Sequence, residues 1–305
     1  MCAVERSYTC EQMYAKMKKL ARQYPQFIHL EVIGTSHDRR EIIALTMGNP
    51  RKVLFCTAGV HGRESINPII LIHIMEEYAQ AYREKQPVQG QPYTVYELLR
   101  EYGICFVPLV NPDGYEIASR GFRRVRNLKL RQHLRIQTIP ASEWKMNARG
   151  VDINRNFPCY SYRPQNPGDS PASENETKAL IHLFHSCDSV GYVDFHSRGK
   201  VIYYYRNAMS GDYNRYSHRL AKYLQSLSDY ELGDAAEEFY TPYSGGNSVN
   251  YYSEVLKQPA LTVETVEESA SFPLHTRYLR ETYEEIHYIP LGILSQITAA
   301  AEELL

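Results

Sequence analysis

The chain has 305 residues, 43% hydrophobic and 23% charged, with 34 Lys and Arg against 35 Asp and Glu. That length holds either two domains or one large α/β domain, with enough apolar residues for a sizeable core. A net charge of −1 argues against a nucleic-acid partner, which would call for a basic excess gathered on one face.

The N-terminal MCAVERSYTCEQ has no apolar signal core, and the longest apolar stretch, around Pro68 to Met75, is far too short to span a bilayer. A complete cytoplasmic chain with no membrane partner is the expectation. Residues 11–24 place Met13, Met17 and Leu20 on one helical face, and Pro25 stops them. FIHLEVIG and EIIALTMG alternate in part, as a hairpin does, whereas KVLFCTAGV is continuously apolar, as a central strand is. A helix is expected from about Ile66 to Glu84, ended by QPVQGQP, and a second helix, YTVYELLREY, leads into a buried strand, GICFVPLV. From NPDGY at 111 to NRNFP at 158 the pattern is irregular, and a loop of that length is usually functional. Ser173 then opens a capping box with Glu176 and a helix to Cys187. SVGYVDFHS and KVIYYYR read as strands, 212–228 as a helix, TPYSGGNS as a loop, VNYYSEVL as a short helix and PALTVETV as a buried strand. Thr276 to Leu305 reads as helical with a kink at Pro290. The six cysteines (Cys2, Cys10, Cys56, Cys105, Cys159, Cys187) form no CxxC pair, and several lie in apolar runs, as buried free thiols in a reducing compartment do. With no repeat and no linker, the expected fold is a single α/β domain over 1–305, with a mixed, mostly parallel central sheet and helices on both faces.

Three His/Glu arrangements compete for a chemical role. His73 and Glu76 are three apart within LIHIMEEY, mid-helix, where a structural or solvent-facing role is the simpler reading. His182 and His185 are one turn apart on an amphipathic helix with no third ligand near. His61 and Glu64, in CTAGVHGRESINP, stand just past the C-terminal end of a buried strand, where open α/β sheets place their ligands. Gly59 and Gly62 leave the backbone there free to turn. A catalytic zinc needs three protein ligands and one open position, and His196, ending SVGYVDFHS before a glycine turn, completes a His-Glu-His set. Such a site also needs a base that is not a ligand. Glu264 ends an apolar strand, where burial raises a carboxylate pKa; the competing reading turns it out to solvent, as expected for Glu267 and Glu268.

With these residues in place the chain resembles the zinc carboxypeptidase family, the carboxypeptidase A-like metallopeptidases. HGRE is similar to its HxxE zinc motif, VDFHSRG to the strand carrying the third ligand, and LTVE to the strand carrying the catalytic glutamate. NPDGY and GVDINRNFP also stand in the family's order, and GTSHDRREIIAL resembles its entry hairpin. The resemblance implies one zinc held by His61, Glu64 and His196, with Glu264 as base and Asp152 orienting the His61 ring. It implies that Asn154 and Arg155 hold a substrate carboxylate, for which an arginine fork is suited, and that Arg63 contacts substrate. Lys145, in WKMNARGVD, stands where digestive members carry an arginine that polarises the scissile carbonyl, and lysine brings a point charge rather than a planar fork. The family tyrosine falls near Thr241, between Tyr240 and Tyr243, of which Tyr243 is favoured.

WKMNARGVDINRNFP, HSRGKVIYYY and SGGNSVNYY together look most like bacterial γ-D-glutamyl-diamino-acid peptidases, which cut peptidoglycan stem peptides. The basic run RGFRRVRNLKLRQHLR, residues 120–135, either rims a cleft that attracts such anionic peptides or is a solvated surface. A soluble peptide or muropeptide substrate is the expected partner. Three alternatives stay open: a carboxypeptidase on ordinary peptide C-termini, a deacylase of the aspartoacylase type, and a zinc-free peptide-binding module.

Overall fold

The computed structural model describes residues 7–88, 91–236 and 245–302. Helix α1, Cys10–Gln23, begins at Thr9, whose hydroxyl accepts from Gln12 N while the Gln12 side chain accepts from Thr9 N. Met13, Met17 and Leu20 are buried, the i, i+4, i+7 stripe of an amphipathic helix.

Eight strands form one sheet: β1 Ile28–Thr35, β2 Glu41–Gly48, β3 Lys52–Ala58, β4 Gly103–Val107, β5 Asp188–Ser197, β6 Val201–Tyr203, β7 Glu231–Leu232 and β8 Ala260–Thr265. Their order is β1-β2-β4-β3-β5-β8-β6-β7. The four central strands, β4, β3, β5 and β8, are mutually parallel. The β1–β2 hairpin and β6 join antiparallel on either side. The continuously apolar strands are the ones covered on both faces, as parallel sheets require. In β3, Leu54, Cys56 and Ala58 pack into one cluster with Ile70 and Ile74 of α2, Ile66–Glu84. The alternate residues Val53 and Phe55 face a second cluster containing Leu180 and Phe184, and the rings of Phe55 and Phe184 meet edge-on at 5.3 Å between centroids. Helices therefore cover both faces.

Several local expectations change. The stretch 111–158 is not irregular throughout. After α3, Val95–Glu101, it contains α4, Pro112–Arg120, capped by Asn111 with Pro112 in its first turn, and α5, Leu128–Leu134. Its weak hydrophobic period reflects short elements: α4 buries polar and apolar residues alike from Pro112 to Ile117, and α5 buries only Leu134. Ser173 does not cap the next helix: α6, Asn175–Phe184, has Glu174 at its N-cap with no side-chain bond, because the Ser173 hydroxyl donates to Glu174 at 2.7 Å and accepts from Asn156 at 2.9 Å. Helix α7 spans Gly211–Ser226 and α8 Ser248–Tyr251, continuing as a π-turn to Leu256. The C-terminal helix is broken rather than kinked: α9, Tyr278–Ile286, stops and α10, Ile289–Glu302, restarts. Pro290 sits in the first turn of α10, where a missing N–H costs nothing. Cys10, Cys56, Cys105, Cys159 and Cys187 are free thiols, the first three buried; Cys2 lies outside the described residues. No helix among the described residues is long and apolar enough to cross a membrane.

Candidate metal centre and its surroundings

His61 and Glu64 follow the end of β3, and the two glycines there, Gly59 before His61 and Gly62 after it, do different work. Gly59 takes φ +64°, a turn that disfavours any side chain. Gly62 serves close approach instead: a Cβ there would lie 2.2 Å from the carbonyl carbon of Gly114. Asn111 ties this corner together, donating to Val60 O at 3.0 Å and accepting from Gly114 N at 2.8 Å. The Gly62 N–H donates to Lys145 O at 3.0 Å, so the same corner anchors the 145–152 loop.

β5 delivers His196. In the parallel β5–β8 register His196 pairs with Glu264, which sets both side chains on one face. The His61 Nδ1 lies 2.6 Å from one Glu64 oxygen and the His196 Nδ1 3.0 Å from the other. The far nitrogens face two further carboxylates: Asp152 is 3.3 Å from the His61 Nε2, and Asp194 is 3.0 Å from the His196 Nε2. Asp152 stands where the sequence placed it. Asp194 was missed, although it precedes His196 by two residues on the same strand face. It is fully buried and accepts from Thr57 at 2.6 Å and Ser248 at 2.6 Å. The i, i+2 spacing in VDFH was a usable signal.

This donor set fits a zinc ion. An imidazole whose Nε2–H points to a carboxylate presents a bare lone pair at Nδ1. Here two Nδ1 atoms converge on one buried carboxylate, an arrangement that needs positive charge among them. The protein's own titration expresses that need. Burial works against protonation of His61, yet Glu64 and Asp152 outweigh it and push the ring up to about 9. His196 is likewise raised by Asp194 and Glu64 against the cost of burial. Burial alone would raise the Glu64 carboxyl, but His61 and His196 hold it at about 2. His61, Glu64 and His196 are one of two His/Asp/Glu groups among the described residues compact enough for a cation.

Glu264 is half-buried beside this cluster. Burial, with Glu64 adding repulsion and His196 opposing it, raises its carboxyl to about 7, the range of an effective base near neutrality. Glu267 and Glu268 are exposed. The Lys145 ammonium is 2.7 Å from Asp152, so one carboxylate spans Lys145 and His61. Burial opposes ionisation of Asp152, but His61 and Lys145 hold it well below the usual carboxylate range. The Asn154 Oδ1 accepts from Ser248 N at 3.2 Å, and its Nδ2 is 3.5 Å from the His196 Nε2. Arg155 donates to Asn154 O at 2.6 Å and meets no carboxylate within ion-pair distance among the described residues. Arg63 stacks over the Phe272 ring, 4.3 Å from its centroid. Tyr243, with Tyr240 and Thr241, lies outside the described residues.

A cleft of about 390 Å³ is lined by Lys145, Arg149, Asp152, Arg155 and Tyr162 among others, and it reaches the metal cluster only through Lys145 and Asp152, since His61, Glu64, His196 and Glu264 do not line it. None of residues 120–135 lines it. Within that basic run Arg120 and Arg124 approach the buried Glu116, and the backbone N–H groups of Arg126 and Asn127 donate to Asp38. Its charges partly serve the fold. The other histidine pairs are structural: Glu76 joins His73 at 3.3 Å and Lys16 at 2.7 Å between α2 and α1, and His185 bonds the Tyr251 hydroxyl at 3.0 Å.

Residues 13–288 match the zinc carboxypeptidase family. Among relatives, a γ-D-glutamyl-L-diamino acid endopeptidase of Lysinibacillus sphaericus is 26% identical over 275 residues, covering 85% of this chain and 66% of that protein. Carboxypeptidase A2 of Mus musculus is 26% identical over 255 residues, covering 79% and 58%. The chain thus spans less than two thirds of the length of these relatives. The structure of bovine thrombin-activatable fibrinolysis inhibitor, solved with a tick carboxypeptidase inhibitor, superposes with a TM-score of 0.75 at 19% identity over 98% of this chain and 99% of that one. That likeness extends the shared fold over nearly the whole of both chains.

Proposed function

Since the chain belongs to the zinc carboxypeptidase family, we propose that it hydrolyses a peptide amide bond next to a free carboxylate, on stem peptides of the γ-D-glutamyl-diaminopimelate kind. The observation that carries the hydrolytic reading is the pairing of His196 with Glu264 across β5 and β8, which stations a base of raised pKa against the metal cluster. His61, Glu64 and His196 would hold the ion, and zinc supplies Lewis acidity there. Glu264 takes the proton of the attacking water and returns it to the departing amine. An ammonium has three donors, so Lys145 can keep Asp152 and still offer an N–H to the carbonyl oxygen as it gains charge. Arg155 has part of its fork left over for a substrate carboxylate, with Asn154 beside it and Arg63 and Tyr243 assigned to the rest of the substrate.

The substrate class rests on the cleft and on the similarity to the diamino-acid endopeptidase. Lys145, Arg149 and Arg155 line the cleft together with Asp152, Asp169 and Glu174; Lys145 and Arg149 are paired with two of those carboxylates, which leaves Arg155 to suit a carboxylate of the substrate. The likeness to carboxypeptidase A2 favours a second reading, removal of residues from ordinary peptide C-termini, which uses the same groups. Incubation with L-Ala-γ-D-Glu-diaminopimelate peptide beside a panel of α-linked peptides, read by mass spectrometry, separates them. Cleavage of the γ-linked bond alone supports the first reading, and cleavage of the α-linked panel alone replaces it with the second. Intact substrates throughout, with zinc absent from the purified protein, would make the chain a binding module.

A further inference from the structure

A second group of metal-binding side chains lies away from the reaction. His37, Glu174 and Glu176 come from the β1–β2 turn and the start of α6, and their ligand atoms all lie within 4.8 Å of one another. The His37 Nε2 is 3.0 Å from Oε2 of Glu174 and 3.9 Å from Oε2 of Glu176. We propose that His37, Glu174 and Glu176 form a second, structural zinc site.

Three observations support it. Both glutamates are fully buried, and two ionised carboxylates at such a place cost several kcal/mol unless cations accompany them. Arg149, 3.0 Å from Oε1 of Glu174, offsets one charge, and His37 can offset the other only when its ring is protonated. Second, the Oε1 of Glu176 is buried with no hydrogen-bond partner, and the His37 Nε2, despite its short distance to Glu174, makes no hydrogen bond either. Third, the ligands are held in advance. On either side of His37, the Ser36 hydroxyl donates to Asp113 at 2.7 Å and the Asp38 N–H donates to Asp113 at 2.9 Å. The turn therefore cannot swing away.

Asn147 already donates to Oε2 of Glu174 at 2.7 Å and of Glu176 at 3.3 Å. Each carboxylate oxygen has two lone pairs, so the amide and an ion can share them. One imidazole and two carboxylates suit zinc better than magnesium or calcium, which prefer oxygen alone. Glu174 also lines the 390 Å³ cleft, which supplies a path of entry. The Oδ1 of Asn147 accepts from the backbone N–H of Arg149 and Val151. The site would thus brace the loop that carries Lys145 and Asp152.

The test is a zinc count. Full-length protein is stripped, reloaded with excess Zn²⁺, freed of unbound ion and measured by plasma mass spectrometry, with circular dichroism to verify folding. Two zinc per chain are expected in the wild type, one in His196→Ala, one in His37→Asn, and none in the double variant. Glu176→Gln should also fall to one; should it fail to fold, His37→Asn, altered at a partly exposed turn, decides the matter. A wild-type count of one, or a count of two that His37→Asn does not lower, overturns the proposal and leaves the cluster as a histidinium–carboxylate ion group.

Discussion

The two His/Glu clusters have similar components and differ in what surrounds them. At the first, two imidazoles and one carboxylate converge at the ends of parallel strands, and each ring is backed by its own carboxylate, Asp152 or Asp194. At the second, one imidazole and two carboxylates meet where a turn touches a helix start, and an amide and a guanidinium, Asn147 and Arg149, back the carboxylates. Backing by anions makes the first site hungry for positive charge and orients its rings. Backing by donors satisfies part of the second. Glu264, half-buried with its carboxyl raised, stands beside the first as a candidate base, whereas the raised carboxyl of the second, Glu176, is fully buried and is itself one of the cluster's three members.

The sharpest way to break this contrast is Glu264→Gln. Glutamine keeps the shape but accepts no proton, so turnover should fall by roughly 10²–10⁴-fold while zinc content stays at the wild-type value. Near-normal turnover would move the base elsewhere, with Glu267 the next residue to test. The cleft wall between the clusters comes next. Arg155→Ala should remove a charge-assisted bond of about 1.5–3 kcal/mol, a roughly 10- to 150-fold loss in kcat/KM, on a free-acid peptide and leave its amide almost unchanged. Lys145→Ala should slow acid and amide alike, since the partner proposed for it in the reaction is the carbonyl oxygen. Equal losses on both peptides for Arg155→Ala would remove the carboxylate anchor from the account.

Asp194→Asn probes the anionic backing itself. Weakening the partner of the His196 Nε2 should cost about 10–100-fold in zinc affinity, read by competition with a chelating dye; unchanged affinity would leave Asp194 as packing. The smallest effect is at the second cluster in chelator-treated protein. Burial, with repulsion from Asp113, raises the Glu176 carboxyl from its ordinary 4.5 to about 7. The folded chain therefore holds a proton that the unfolded chain gives up, and stability drains away as pH rises across that window. Glutamine cannot ionise, so the Tm of Glu176→Gln should gain on the wild type between pH 5 and pH 8. A constant difference would show that Glu176 does not titrate there.

Much of this was legible in the chain. The proposed zinc ligands and the proposed base sit at or just past the end of a buried strand, a local context that periodicity marks without knowledge of the fold, whereas Asp152 was implied only by the family resemblance. β3 was assigned to the centre because its residues after Lys52 are apolar except Thr57, and all of them are buried. The stretch 111–158 was read as irregular because its helices are short: α4 buries polar and apolar residues alike from Pro112 to Ile117 and α5 only Leu134, so no apolar period registers. Ser173 looked like a cap because S-x-x-E is a local pattern, but Asn156 and Glu174 claimed its hydroxyl. Local patterning thus determined the sheet's central strands, the metal ligands and the candidate base, because each depends on a side chain's place within its own element. Tertiary structure decided the register that sets Glu264 beside His196, the sharing of Asp152 between His61 and Lys145, and the meeting of His37 with Glu174 and Glu176. Those pairings join residues dozens to more than a hundred positions apart, or orient neighbours across a loop, and no local propensity encodes them.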